Sequence, residues 1–242
     1  MRANADGSCN ASINAALPRS LQPGQVITAT ATDAAGNTSE FSQCFQATVI
    51  QPILHAQVSD FDGDGKTDPS VFRPSAGDWY ALQSTSGFRV TPFGTNGDQI
   101  TPGDYDGDDM TDFAIFRPAI GTFYILRSSN GGVIGQQFGQ SGDKPIAGDF
   151  DGDNKTDIAV YRPGTGGWYY LQSFDNVSKG LAWGTNGDIP SAGDYDGDGK
   201  CDVAVFRPSS GVFYILQSAT NSLRGEQFGT NGDVPVPSAY AP

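Results

Sequence analysis

Apolar residues in this chain fall into short runs of two-residue alternation, broken every few positions by glycine, proline, asparagine or aspartate. Such a pattern predicts β-strands joined by turns and leaves no room for helices. The segment from 100 to 138 shows it most clearly. A first strand is expected at 100–104, running into an acidic stretch. A second leaves that stretch at 113–117 and stops at Pro118, a third, rich in aromatics, covers 122–127, and a fourth covers 133–138.

The same text recurs. DFDGDGKTD begins at Asp60, DYDGDDMTD at Asp104, DFDGDNKTD at Asp149 and DYDGDGKCD at Asp194, at spacings of 44, 45 and 45 residues. Each copy continues with a strand ending in Arg-Pro (Arg73, Arg117, Arg162, Arg207) and an aromatic pair (Trp79 and Tyr80, Phe123 and Tyr124, Trp168 and Tyr169, Phe213 and Tyr214). It then closes on FG or WG and a Gly-Asp. A unit of about 45 residues with four strands cannot bury both faces alone and stacks on its neighbours, as a propeller blade does. The expected fold is therefore all-β, a β-propeller of about four four-stranded blades over residues 51–242. Ser70, Ala114, Ala159 and Ala204, each followed by Val or Ile, suit the narrow interior of such a taper.

Residues 1–50 lie outside the repeat. VITATATDAAGNTSEFSQCFQATV reads as two alternating strands joined by a turn at Ala35, Gly36 and Asn37, and residues 47–52 as a linker. This text is similar to the last strands of Ig-like modules of large bacterial surface proteins, so a short N-terminal β segment, the end of such a module, is expected. At the other end, residues 233–240 align with the first strand of a repeat, with Ala239 where an aspartate should stand. That makes one strand more than four blades need, free to close a ring or to pair with the N-terminal piece.

Composition sharpens the picture. The chain of 242 residues has a formal charge of −13, and of its 27 acids only Glu40 and Glu226 are not aspartate. Aspartate favours turns and metal loops where glutamate favours helices. The negative balance excludes nucleic acid as a partner, and no stretch approaches the length of a membrane helix. The opening MRANADGSCN lacks the apolar core of a signal peptide, so the chain is expected to begin inside a larger architecture or after a removed leader. Cys9, Cys44 and Cys201 form no CxxC pair; a bridge between Cys9 and Cys44 and a free Cys201 is one arrangement, three thiols the other.

Sixteen of the aspartates sit in the four repeated loops, at positions 1, 3, 5 and 9, and the position-7 carbonyl completes an oxygen set of the kind calcium takes. The candidate ligands are Asp60, Asp62, Asp64, Lys66 and Asp68 in the first loop, and Asp104, Asp106, Asp108, Met110 and Asp112 in the second. The third offers Asp149, Asp151, Asp153, Lys155 and Asp157, and the fourth Asp194, Asp196, Asp198, Lys200 and Asp202. Lysine and methionine enter through their backbone oxygens. Position 6 calls for a left-handed backbone, which Gly65 and Gly199 adopt freely and Asp109 and Asn154 tolerate. An EF-hand is excluded, because its twelfth position needs a bidentate Glu and here holds Val71, Ile115, Val160 and Val205. About four Ca2+ ions are expected, with affinities in the weaker, extracellular range; full occupancy takes the formal charge from −13 to about −5.

These loops, with Phe93-Gly94, Phe138-Gly139, Trp183-Gly184 and Phe228-Gly229 and with Gly103, Gly148 and Gly193 just before the acids, resemble the FG-GAP or VCBS repeats of bacterial secreted proteins and of the integrin α-subunit propeller. The resemblance covers roughly residues 53–240. It implies a calcium-stabilised propeller in an extracellular or cell-surface setting. Integrin-type propellers have seven blades and longer repeats, whereas this chain offers four.

Other features are weighed on the same residues. The four arginines are expected to form ion pairs with an aspartate of their own or the adjacent blade, the Gly-Asp acids Asp98, Asp143, Asp188 and Asp233 being candidates; presenting the guanidinium groups to an anionic ligand is the alternative. Alternation puts one ring of each aromatic pair on either face, one for packing and one toward solvent. Shallow sugar sites between blades are open to Trp79, Trp168, Gln83, Gln172, Gln217 and Arg127. The single histidine, His55, has no nucleophile pattern around it, so no enzyme is expected. The expected function is adhesion or recognition of a glycan or surface protein, without membrane insertion. The alternative is a structural protein that self-associates by strand addition.

Overall fold

The computed structural model describes residues 26–27, 45–46 and 59–236. The chain divides into two units, Met1–Leu54 and His55–Pro242. In the first, β1 (Val26–Ile27) pairs antiparallel with β2 (Phe45–Gln46). The turn, the linker, Cys9, Cys44 and His55 lie outside the described residues.

The second unit is four antiparallel sheets in chain order, with no α-helix among the described residues. Sheet 1 holds β3 (Ser70–Arg73), β4 (Asp78–Gln83) and β5 (Gly87–Pro92). Sheet 2 holds β6 (Gln99–Ile100), β7 (Phe113–Arg117), β8 (Thr122–Leu126) and β9 (Val133–Gln137). Sheet 3 holds β10 (Lys144–Gly148), β11 (Asp157–Arg162), β12 (Gly167–Leu171) and β13 (Ser178–Ala182). Sheet 4 holds β14 (Ile189–Pro190), β15 (Val203–Arg207), β16 (Val212–Leu216) and β17 (Leu223–Gln227). Sheets 2, 3 and 4 have the four strands that the alternation predicts; sheet 1 has three among the described residues, and the stretch before its acidic loop, where the first would stand, lies outside them.

The first strand of a repeat departs from the expected length in sheets 2 and 4, where it is two residues long. A phenol is the cause. Tyr105 donates its hydroxyl to the Thr101 carbonyl at 2.8 Å, and Tyr195 does the same to Ser191, diverting a strand carbonyl. Pairing resumes only as single bridges at Gly103 to Asp112 and Gly193 to Asp202. In the third repeat Phe150 stands in the tyrosine's place, has no hydroxyl, and β10 runs unbroken for five residues. At the chain's other end residues 233–236 are not in a strand, and the rest of the expected extra segment lies outside the described residues.

Register fixes which side chains meet. In β7 and β8, Phe116 opposes Phe123 and Ala114 opposes Ile125, so these four share one face; Ile115, Tyr124, Phe113 and Leu126 share the other. The forward face of each sheet packs on the rear face of the next. Phe61, Trp79 and Ala81 meet Phe113 and Ile115; Phe116 and Phe123 meet Val160; Tyr161 and Trp168 meet Val203 and Val205. Phe61 and Phe113 stack at 4.4 Å with 9° between planes. Ala114, Ala159 and Ala204 are fully buried, because a larger side chain there would hold the sheets apart.

The FG glycine has a steric purpose. Gly121 has φ +60, and a Cβ on it would collide with the carbonyl oxygen of Gly139, itself at φ +126. The Phe138 amide bonds the Gly121 carbonyl at 2.9 Å across this contact, closing the turn before β8 onto the end of β9.

Candidate metal centres

In sheets 2, 3 and 4 the acidic loop connects the first and second strands, in sheet 1 it leads into β3, and in every copy its own first aspartate folds it. The Asp60 carboxylate accepts the amides of Gly63 at 2.7 Å and Gly65 at 2.8 Å, and Asp104 accepts those of Gly107 at 2.6 Å and Asp109 at 2.9 Å. Asp149 and Asp194 repeat the arrangement with Gly152 and Asn154 and with Gly197 and Gly199. The sixth position is left-handed in every copy, at φ +82 for Gly65, 64 for Asp109, 68 for Asn154 and +92 for Gly199. At the ninth position, Asp68, Asp112, Asp157 and Asp202 each take the amide after the first aspartate, so the loop closes on itself.

Three carboxylates per loop, not four, come within 4.8 Å of one another. They are Asp60, Asp62 and Asp68; Asp104, Asp106 and Asp108; Asp149, Asp151 and Asp157; and Asp194, Asp196 and Asp202. A serine hydroxyl lies against the fifth-position carboxylate in every copy. Ser84, Ser173 and Ser218 donate their hydroxyls to the fifth-position Asp64, Asp153 and Asp198. In loop 2 the Ser128 hydroxyl reaches Asp108 and also Asp112, at 2.7 Å. The fifth-position carboxylate also accepts the amide of Lys66, Met110, Lys155 or Lys200, which sets the turn carrying the seventh-position carbonyls.

These serines were missed in the sequence, although a serine opens each of the four variable turns. Their amides bind the ninth aspartate at 2.7 to 2.8 Å. The next residue binds the third: the Thr85, Phe174 and Ala219 amides and the Ser129 hydroxyl reach Asp62, Asp151, Asp196 and Asp106. The turn after each third strand is therefore seated on the acidic loop.

The loops also chain to one another. Thr111, Thr156 and Cys201, all at position 8, donate their amides at 2.6 Å to the first-aspartate carbonyl of the preceding loop, on Asp60, Asp104 and Asp149. A Cβ on Gly103 would lie 2.5 Å from Thr156 Oγ1, and one on Gly148 2.7 Å from Cys201 Sγ, which is why glycine precedes those acids. Burial pushes the Cys201 thiol far above its usual range, so it is an inert packing group rather than a reactive one.

Electrostatically the clusters are under-compensated. Burial raises Asp104, and it pushes Asp112 and Asp157 up to about 6 despite the serine bonds that work the other way. Burial likewise raises Asp151, with its neighbours Asp153 and Asp149 adding to the effect. Asp64 is the exception, held well below the ordinary carboxylate range by the exposed Lys66 ammonium and the Ser84 and Thr85 hydroxyls. Asp62 Oδ1 and Asp106 Oδ1, both third-position atoms, are buried without any hydrogen-bond partner. An all-oxygen donor set with an orphaned buried carboxylate oxygen fits a hard cation.

The arginines behave as expected at three of four positions. Arg117, Arg162 and Arg207 grip Asp98, Asp143 and Asp188, each just before the first strand of the arginine's own sheet, with two bonds of 2.8 to 2.9 Å each. Each also lies over its own tyrosine, Tyr124, Tyr169 or Tyr214, at 4.4 to 4.8 Å. Arg73 stacks on Tyr80 at 4.2 Å, and among the described residues neither it nor Asp233 has an ion-pair partner. The sugar-platform expectation fails for Trp79, Trp168 and Gln83. Both indoles are buried and donate to the Phe93 and Trp183 carbonyls, and buried Gln83 donates to the Phe61 carbonyl.

Residues 149–205 match the family model for the FG-GAP-like repeat. No curated protein sequence matches the chain. Among solved structures the chain is similar to a streptogramin B lyase, at 13% identity and a TM-score of 0.49 over 84% of this chain and 62% of that one. It is also similar to virginiamycin B lyase from Staphylococcus aureus, at 8% identity and a TM-score of 0.47 over 88% and 65%. The chain thus spans less than two thirds of the length of either structure. Residues 149–205 thus form an FG-GAP-like repeat, and the loop and serine geometry of that stretch recurs in the chain's other copies.

Proposed function

We propose that this chain is a calcium-stabilised extracellular recognition or adhesion module, its four sheets acting as propeller blades. The observation that carries the reading is the pair of buried, partnerless oxygens Asp62 Oδ1 and Asp106 Oδ1 inside clusters made only of carboxylates. One Ca2+ per loop would be held by the three clustered aspartates, with the fifth- or ninth-position carboxylate and the seventh-position carbonyl as further oxygens. The ion supplies positive charge where burial otherwise disfavours ionised aspartate. Weak calcium sites fill at the millimolar concentrations found outside cells, which agrees with the family's usual setting. No helix among the described residues is long and apolar enough to cross a membrane.

Recognition is assigned to the variable turns seated on the loops. Phe174, at the tip of the third, is 79% exposed while its amide is bound to Asp151. Calcium then fixes the scaffold, and the tips carry specificity for a glycan or surface protein. Elemental analysis with thermal unfolding in calcium and in chelator tests the metal. About four calcium ions per chain and a clear drop in Tm on chelation are expected, because a ligand of the folded state stabilises it by mass action. A calcium-free protein whose Tm ignores chelator sinks the reading. A glycan array with wild type and Phe174→Ala tests the tips separately.

A further inference from the structure

A cavity of 210 Å³ at the junction of sheets 1 and 2 collects positive charge without an acid to match it. Phe61 and Arg89 of the first repeat line it together with Met110, Phe113 and Arg127 of the second, and no carboxylate is among its lining residues. The other arginines among the described residues have polar partners: Arg117, Arg162, Arg207 and Arg224 hold carboxylates, and Arg73 donates to the Tyr80 hydroxyl. Arg89 and Arg127 enter no ion pair among the described residues, and both line this one cavity. Arg127 Nε is buried with no hydrogen-bond partner, an arrangement that costs free energy until an acceptor meets it. The surroundings hold the two guanidiniums in place. Arg89 lies over the Phe113 ring at 5.5 Å, and that ring is stacked on Phe61. A Cβ on Gly132 would come 2.8 Å from Arg127 Nη2, and Gly132 has no left-handed φ, so the missing side chain there makes room for the guanidinium and serves no turn.

We propose that this cavity binds one oxyanion group of an acidic glycan, a carboxylate or a sulfate ester, between Arg89 and Arg127. The proposal rests on the recognition reading above and names its ligand chemistry. A guanidinium fork suits either group, since both offer two oxygens in the geometry it matches. The volume is below the roughly 300 Å³ at which pockets take whole drug-sized ligands, so the cavity admits an end group and leaves the rest of the sugar outside. Ser128 and Gly131 of the second variable turn also border it, so this turn carries the contact. The register places two arginines at this junction alone. Arg127 stands where the other repeats have Gln83, Gln172 and Gln217, and Arg89 where they have Ile134, Lys179 and Arg224. In sheet 1 the glutamine spends its amide on the Phe61 carbonyl, whereas Arg127 Nε has no such acceptor.

Calorimetric titration of the full chain in saturating calcium tests it with a tetrasaccharide ending in glucuronate, the same sugar with its carboxyl reduced to a neutral alcohol, and a tetrasaccharide ending in galactose 6-sulfate. At least one acidic sugar is expected to bind about tenfold or more tightly than the neutral one. Arg127→Gln, which installs the residue of the other repeats, and Arg89→Gln each remove about tenfold of that affinity. Neither is expected to lower the Tm, because neither guanidinium is bonded to the protein. The acidic sugar that loses more to the variants identifies the group as carboxylate or sulfate. Equal binding of acidic and neutral sugars, or binding that ignores both variants, overturns the proposal; where that binding is lost in Phe174→Ala, the recognition reading stands and only this site falls. Failure of all three sugars to bind overturns this site and glycan recognition together. An acidic peptide held more tightly than either acidic sugar overturns it in favour of a protein ligand.

Discussion

Arg117, at the end of β7, holds Asp98, the residue just before β6 of the same sheet, by two parallel bonds, Nε to Oδ1 at 2.8 Å and Nη2 to Oδ2 at 2.9 Å. Burial of Asp98 alone would raise its carboxyl, but the guanidinium and the Thr95 amide outweigh it and hold the group below the usual range. The planar fork suits this bidentate contact, and a lysine would lose one of the two bonds.

Breaking such a pair should be costly. Arg162→Ala strands Asp143, whose side chain is fully buried, and is expected to lower stability by about 3 kcal/mol. Arg224→Ala breaks a pair exposed on both sides and should cost under about 1 kcal/mol. Urea unfolding of the two variants checks the contrast. For Asp98 the folded carboxyl is depressed, so its contribution is present above about pH 4 and fades as pH falls further.

The ion-free loops should respond to pH in the opposite sense. Asp112 and Asp157 titrate near 6 in the fold against 3.8 in the open chain, so the folded state binds more protons between those values. Their contribution is fully present below 3.8 and is lost as pH rises through 6. Chelated protein is therefore expected to melt higher at pH 5 than at pH 7.5. Saturating calcium should reverse the order, since the ion needs ionised carboxylates. Four melting curves decide it; a chelated protein more stable at pH 7.5 contradicts it.

Ser128 should matter beyond its size. Its hydroxyl touches both oxygens of Asp108 and one of Asp112, and its amide fixes Asp112. Ser128→Ala keeps the amide but frees the carboxylates to rotate, and is expected to weaken calcium at loop 2 by about tenfold. Calorimetric titration should show one of four sites displaced to lower affinity, with the other three unchanged.

Two glycines make a steric test. A methyl on Gly121 meets the Gly139 carbonyl at a left-handed φ, so Gly121→Ala should destabilise by about 2 kcal/mol or more. A methyl on Gly225 in β17 meets nothing within 4 Å and carries no such φ, so Gly225→Ala should stay within about 0.5 kcal/mol of wild type. Thermal unfolding of both variants reads the difference.

Much of this was legible because the chain states it four times. The strand bounds of sheet 2 beyond its first strand follow from alternation and from Pro118. The left-handed sixth position follows from residue type, and the arginine partners follow from a repeated register. The serines escaped notice because they open turns that otherwise differ, and a serine in a turn is ordinary. The short β6 and β14 also escaped, because only a folded loop brings the Tyr105 and Tyr195 hydroxyls back onto a strand carbonyl four residues earlier.

The sequence by itself determined the unit, its strands and the acids that gather in each loop, since these depend on local spacing along one stretch of chain. Only the tertiary structure decided which three carboxylates converge, that Trp79 and Trp168 are core rather than platform, and that loops bond to their neighbours through position 8. It alone shows that Val71 is exposed and Phe213 half-buried where their counterparts in other sheets are buried. The physical reason is that burial belongs to pairs of sheets: the same apolar residue is core or surface according to whether another repeat lies against it.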